Sequence, residues 1–134
     1  MSDDCIFCKI VKGEIPSRKV YESESSLAFL DINPVARGHT VVIPKKHYQN
    51  MLDISEGALK PFFSDLKKVS AKLKEKLDAD GFNLLQNNFR AAGQLVDHFH
   101  FHVIPRRKND KAFKFPEKIE ASDEELDAIQ EKLQ

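Results

Sequence analysis

Val96-Asp97-His98-Phe99-His100-Phe101-His102-Val103-Ile104 decides how the rest of this chain is read. The stretch alternates with a period of two, the pattern of a β-strand, whose successive side chains point to opposite faces. His98, His100 and His102 then share one face, and Phe99, Phe101 and Val103 occupy the other. At a rise of about 3.3 Å per residue, side chains two apart are separated by roughly 6.6 Å. Neighbouring imidazoles at that spacing can act on one small ligand or help bind one metal. A face that only met water would be served as well by Thr, Lys or Glu, so three titratable rings in a row point to chemistry.

Working outward, all five histidines of the chain lie at positions 39, 47, 98, 100 and 102. Arg37-Gly38-His39 leads into Thr40-Val41-Val42-Ile43, which reads as a buried strand closed by Pro44 and followed by Lys45, Lys46 and His47. Either outlying histidine alone would read as structural; their company with the other three suggests a shared site. Lys19–Glu22 and Ser26–Ile32 read as two strands joined by the turn-prone Ser23-Glu24-Ser25, with Asn33-Pro34 ending the second. Asp31, at a strand end before a turn, has two readings. It can bond the turn backbone, as Asp often does, or accept hydrogen bonds from ribose hydroxyls, and spacing alone favours the first.

From Ser55 to Leu77 the pattern is helical, with Leu59, Phe62, Phe63, Leu66, Val69, Leu73 and Leu77 recurring at spacings of three and four. Lys67, Lys68, Lys72, Lys74 and Lys76 supply a solvated face. Pro61 fits poorly inside a helix, so the main helix is expected to start near Lys60 or to kink there. Phe82–Asn87 reads as a further strand, and Asn88 to Gln94 as a polar connection into the histidine strand. That connection carries Arg90, Gly93 and Gln94, which suit a phosphate, but it matches neither a P-loop nor a dinucleotide fingerprint. After Pro105 the chain turns basic and irregular, with Phe113 and Phe115 expected to pack down. Ser122-Asp123-Glu124-Glu125 is a capping box opening a last helix, with Leu126, Ile129 and Leu133 as its apolar stripe.

Length and charge bound the answer. The 134 residues suffice for one domain with a hydrophobic core. Lys plus Arg and Asp plus Glu are 21 each, so no net charge draws the whole protein toward nucleic acid or an anionic membrane. No apolar run approaches a membrane span. The acidic Met1-Ser2-Asp3-Asp4 lacks the basic and apolar regions of a signal peptide. The expectation is a soluble, cytoplasmic protein whose two cysteines are reduced thiols or metal ligands rather than a disulfide. Cys5-Ile6-Phe7-Cys8 opens the chain without the preceding strand that a redox Cys-x-x-Cys usually has, so a metal half-site is the better reading. Ile6, Phe7 and Ile10 read as core or pocket residues, core being favoured.

His98-Phe99-His100-Phe101-His102-Val103-Ile104 resembles the His-φ-His-φ-His-φ-φ signature of the histidine triad (HIT) family of nucleotide hydrolases and transferases. Cys5-Ile6-Phe7-Cys8-Lys9-Ile10, Phe29-Leu30-Asp31-Ile32-Asn33-Pro34, Gly38-His39-Thr40, Ile43-Pro44-Lys45-Lys46-His47, Asn87 and Gly93-Gln94 resemble further blocks of its bacterial Hint-like branch, in the family's order. The resemblance runs from Cys5 to Arg106. It implies an α+β fold with a five-stranded antiparallel sheet and one long helix, in a single domain spanning 1–134. Residues 1–106 form the core, and 107–134 form an extension with a helix near 122–133.

The same resemblance implies a homodimer whose two sheets run on into one another, and a purine nucleotide as substrate. His100 would be the nucleophile on the α-phosphate. His102, His39 and Asn87 would hold the phosphate and the nucleophile's surroundings, with Gly93 and Gln94 beside them. Asp31 would bind ribose, and Ile6, Phe7, Ile10, Phe29 and Ile32 would line the base pocket. A structural zinc at Cys5, Cys8, His47 and His98 is implied by bacterial relatives that carry all four residues. The expected reaction is cleavage of nucleoside 5′-phosphoramidates or related nucleotides through a nucleotidyl-histidine. Its rivals are dinucleoside polyphosphate hydrolysis, a nucleotide-binding scaffold with incidental hydrolysis, and a zinc hydrolase with metal at His100 and His102. One position departs from the family: where Ser, Thr or Glu commonly follows the Gly-Gln pair, this chain has Leu95, which bears on the leaving group rather than on the nucleophile.

Overall fold

The computed structural model describes residues 4–134; the expectation for the Met1 to Asp3 part of the N-terminus lies outside them. Five strands, β1 (Lys19–Glu22), β2 (Ser26–Leu30), β3 (Thr40–Pro44), β4 (Gly81–Leu85) and β5 (Phe101–Arg106), form one antiparallel sheet in the order β1-β2-β3-β5-β4. The expected α+β architecture is therefore present. Helix α1 (Ile6–Val11) precedes the sheet, α2 (Glu56–Lys76) connects β3 to β4, and α3 (Asp123–Leu133) follows it.

The period-2 pattern of the strands sorts their side chains into two cores. On one face Ala28, Val42, Phe99, Phe101 and Val103 pack against Phe62, Leu66, Val69 and Leu73, the apolar stripe of α2. On the other, Leu27, Phe29, Val41 and Ile43 pack against Phe7, Cys8 and Ile10 of α1. Covering both faces explains why every residue of β3 is buried, since a strand between two layers has no solvent side. His102 pairs with Val41 across β3 and β5, so it stands on the α1 face, away from the long helix. Phe7 meets both His98 and His100 edge-on, at ring-centroid distances of 5.8 and 5.1 Å. The three imidazoles thus share a face as the alternation requires, while Phe99 and Phe101 anchor the opposite face on Phe62.

Several boundaries differ from the sequence reading. Ladder pairing of β5 begins only at Phe101, so His98 to His100 lead into the strand rather than belonging to it. They are held instead by bonds outside the ladder, such as Phe99 N–H to the Tyr48 carbonyl at 2.6 Å. β2 stops at Leu30 and β4 at Leu85, leaving Asp31, Ile32, Gln86 and Asn87 in the turns beyond them. α2 starts at Glu56 and runs through Pro61. In its second turn proline forfeits a single backbone bond, to the Gly57 carbonyl. α1 was not foreseen as a helix. Phe115 is 68% exposed instead of packing down, with its ring centroid 5.6 Å from that of Phe113. α3 is closed by the expected capping box between Ser122 and Glu125, but it buries none of its residues.

Gly38 shows why the β2–β3 connection is shaped as it is. Its φ of +86° is open to glycine, and a Cβ there would lie 2.3 Å from Leu77 Cδ1. The tight turn lets His39 enter at the head of β3, beside β5.

Candidate functional site

Along the histidine segment each ring has its tautomer set by a different backbone or side-chain partner. His98 is fully buried, and its Nε2 donates to the Pro44 carbonyl at 2.9 Å. The proton is thereby committed, and Nδ1 is left as a lone pair. That nitrogen lies 3.3 Å from Cys5 Sγ, 3.6 Å from Cys8 Sγ and 3.2 Å from His47 Nδ1, and Cys8 Sγ is 3.3 Å from His47 Nδ1. All four donor atoms lie within 4.8 Å of one another. Burial, reinforced by His47 and His100, pushes the His98 pKa down to about 4 against the bond to Pro44. The ring is neutral at physiological pH, as a metal ligand must be. Two sulfurs and two imidazole nitrogens converging at these separations suit a tetrahedral, borderline-soft cation such as zinc. α1 brings the thiols together: Cys5 is its N-cap, with Sγ accepting from Cys8 N–H at 3.3 Å.

His100 turns the other way. Its Nδ1 donates to the His98 carbonyl at 2.6 Å, so Nε2 carries the lone pair. Burial lowers its pKa below the ordinary histidine value, opposed by that backbone bond and by Asp31. A neutral ring with a fixed tautomer can act as a nucleophile without first losing a proton.

His102 is set by a relay that starts at a peptide. Val35 N–H donates to His39 Nδ1 at 3.1 Å, which places the His39 proton on Nε2. His39 Nε2 is 2.8 Å from His102 Nδ1, so it donates there, and the His102 proton sits on its own Nε2. Asp31 braces the pair: Oδ2 is 3.5 Å from His39 Nε2 and 4.0 Å from His102 Nδ1, while Oδ1 takes Asn33 N–H at 2.8 Å. Asp31 thus makes the turn bond expected of it and still offers a carboxylate oxygen to the site. Burial, then the neighbouring His100 and His39, push His102 down to about 4 against the pull of Asp31; burial also lowers His39.

His100 and His102 face a cavity of about 490 Å³. Ile6, Phe7, Ile10 and Phe29 line its apolar part, together with Asp31, Ile32, Asn87, Gly93, His100 and His102. Two expected site residues are placed otherwise. Gln94 is buried, with Oε1 accepting from Phe89 N–H at 2.8 Å and Nε2 donating to the carbonyls of Gln49 and Val96 at 2.6 and 3.1 Å. Its amide holds the loop rather than lining the cavity. His39 is buried behind His102 and reaches the cavity only through that ring. Arg90, thought suited to phosphate, is engaged by Asp97 at 3.2 Å and by the Gln94 carbonyl. Ile15, Arg18, Val41, Leu95 and Val96 also line the cavity. Of these only Leu95 had a signal in the sequence, its departure from the family pattern.

Comparison with known proteins agrees with this geometry. Residues 12–109 match the HIT domain family. The adenosine 5′-monophosphoramidase of Schizosaccharomyces pombe is 42% identical over 130 residues, covering 91% of this chain and 95% of its own. An adenylylsulfatase of Arabidopsis thaliana is 40% identical over 110 residues, covering 82% of this chain and 56% of its own. The crystal structure of a HIT family member from Bacillus subtilis, 40% identical, matches with a TM-score of 0.90 over 98% of this chain and 95% of that one.

Proposed function

The chain belongs to the HIT domain family, and on that premise we propose that it is a nucleotide hydrolase acting on purine nucleoside 5′-phosphoramidates or nucleotides with a similar leaving group. The observation that carries this reading is the pair of opposed tautomers: His100 with its lone pair on Nε2, and His102 with its proton on Nε2, both lining one cavity. A nucleophile and a proton-bearing neighbour are what a two-step substitution at phosphorus needs.

His100 Nε2 forms a bond to the α-phosphorus while the P–N bond of the substrate breaks. The electron pair goes to the amine nitrogen, which takes a proton through His102 and departs. Water then attacks the same phosphorus, the His100–phosphorus bond breaks, and the proton of water returns through His102. The products are the amine and the nucleoside monophosphate. Asn87 and the Nε2–H of His102 stabilise charge on the phosphate oxygens, and the Asp31 carboxylate accepts from the ribose. Ile6, Phe7, Ile10, Phe29 and Ile32 hold the base.

Cys5, Cys8, His47 and His98 would hold a zinc ion. A closed set of four protein ligands gives such a metal a structural task, tying the first helix to the start of the histidine segment. No metal at His100 is needed for the steps above.

Rapid-quench mass spectrometry with adenosine 5′-phosphoramidate tests the reading. A nucleotidyl adduct is expected on His100, and His100→Ala should lose on the order of 10⁴-fold or more in kcat while still binding AMP. An adduct on His102 or His39, or near-normal turnover by His100→Ala, would overturn it.

A further inference from the structure

Leu95 is 82% exposed, yet it stands in the wall of the catalytic cavity with Asn87, His100 and His102. Ile6, itself 46% exposed, and Val96 share that wall. The same three side chains also border a second recess, lined otherwise by Asp4, Cys5, His47, Gln49, Arg90 and Asp97. They form an apolar saddle between the two depressions. A single exposed leucine on a surface asks for no explanation. An apolar saddle beside a reacting phosphate does, because whatever leaves that phosphate on this side must cross it.

Two of the polar groups nearby are already engaged. The Gln94 amide is consumed by three backbone groups, and Arg90 is held by Asp97 and the Gln94 carbonyl. Arg18 also lines the cavity, and its carbonyl accepts from Leu30 N–H at the β1–β2 end of the sheet. A compact anion leaving over Leu95 would meet hydrocarbon.

We propose that Leu95 sets leaving-group specificity, favouring nucleotides whose α-phosphate carries an amine with an apolar alkyl or aryl body over those carrying ammonia or sulfate. The inference rests on the hydrolase reading above and names the substrate class of that same site. The departing amine lies across Leu95, Ile6 and Val96 and removes their exposed surface from water. Because the contact is with the departing group and not with the nucleotide, it separates substrates that share a base, ribose and phosphate.

The test compares kcat/KM for adenosine 5′-phosphoramidate, its N-phenethyl derivative and adenosine 5′-phosphosulfate, in the wild type and in Leu95→Ser. Taking the wild-type to variant ratio for each substrate cancels the intrinsic reactivity of its leaving group. The preference for the phenethyl derivative over the unsubstituted amide should fall about tenfold in the variant, the scale of a lost apolar contact. AMP affinity, which depends on the base slot and Asp31, should be unchanged and reports an intact site. A preference untouched by Leu95→Ser, or a variant that loses as much on the phosphosulfate as on the phenethyl derivative, overturns the proposal. A wild type that binds AMP but turns over none of the three overturns the hydrolase reading itself, and the specificity with it.

Discussion

At His39 one peptide N–H decides what His102 can do. Because Val35 donates to Nδ1, the ring has a single proton to give, and it gives it to His102. The arrangement requires both rings to be neutral, and burial supplies that by lowering both pKa values. The same shift ties stability to pH. An unfolded histidine titrates near 6.5, whereas folded His102 does so at about 4. Between those values the unfolded chain binds more protons, so the stabilisation is whole above about pH 6.5 and is lost as pH falls toward about 4. His39 acts in the same direction. Urea denaturation near pH 7.5 and near pH 5 should show the wild type losing on the order of 2 kcal/mol more than His102→Gln. Equal losses in the two proteins would show that folded His102 titrates near its ordinary value.

At the level of elements, α1 does more than its six residues suggest. Its Cys5 and Cys8 face His47 and His98, while Phe7 and Ile10 wall the nucleotide cavity and Phe7 rests on His98 and His100. Removing zinc should therefore loosen the base slot as well as the fold. Protein purified without chelators should hold zinc in stoichiometric amount by elemental analysis. Cys5→Ser/Cys8→Ser should lose it and bind AMP about tenfold or more weakly by calorimetry, within the range by which metal-site changes alter affinity. Zinc retained in the double variant would refute the site. This element was also the least legible in the sequence. Six residues span under two turns, too few for a helical period to emerge, and an isolated helix of that length is not stable in water. Its anchors come from β2, β3 and the histidine segment. The strands and α2 were legible because each carries its own period, and the alternation around His100 placed three rings on one face. The bonding of Gln94 and Arg90 within their own loop was not legible for a common reason: polarity in a loop looks the same whether the side chain serves a ligand or its own backbone.

For the whole molecule, the sheet order leaves β4 at an edge, beside the strand that carries His102. An edge strand offers unpaired backbone donors and acceptors, and natural proteins usually blunt or cover it. Here the edge is apolar: Phe82 and Leu84 are 38% and 45% exposed, and they border a groove with Phe63, Leu66 and Ala71 of α2. Edge pairing between two copies of β4, run antiparallel about a two-fold axis, would join the sheets and cover both grooves with each other's α2. Homodimerisation through this surface is the expected state, in keeping with the dimer that the family resemblance implies. Sedimentation at micromolar concentration should give a dimer for the wild type and a monomer for Leu84→Lys. The lysine puts two charges at the centre of the joined surface but costs a lone chain little, since the position is nearly half exposed. An unchanged circular dichroism spectrum in the variant would show that the fold survives. A monomeric wild type would remove the dimer; a dimeric Leu84→Lys would move the interface elsewhere on the molecule. Because β5, the neighbour of β4, itself carries His102, a true interface here should also register in activity, as a fall in kcat/KM when Leu84→Lys separates the copies.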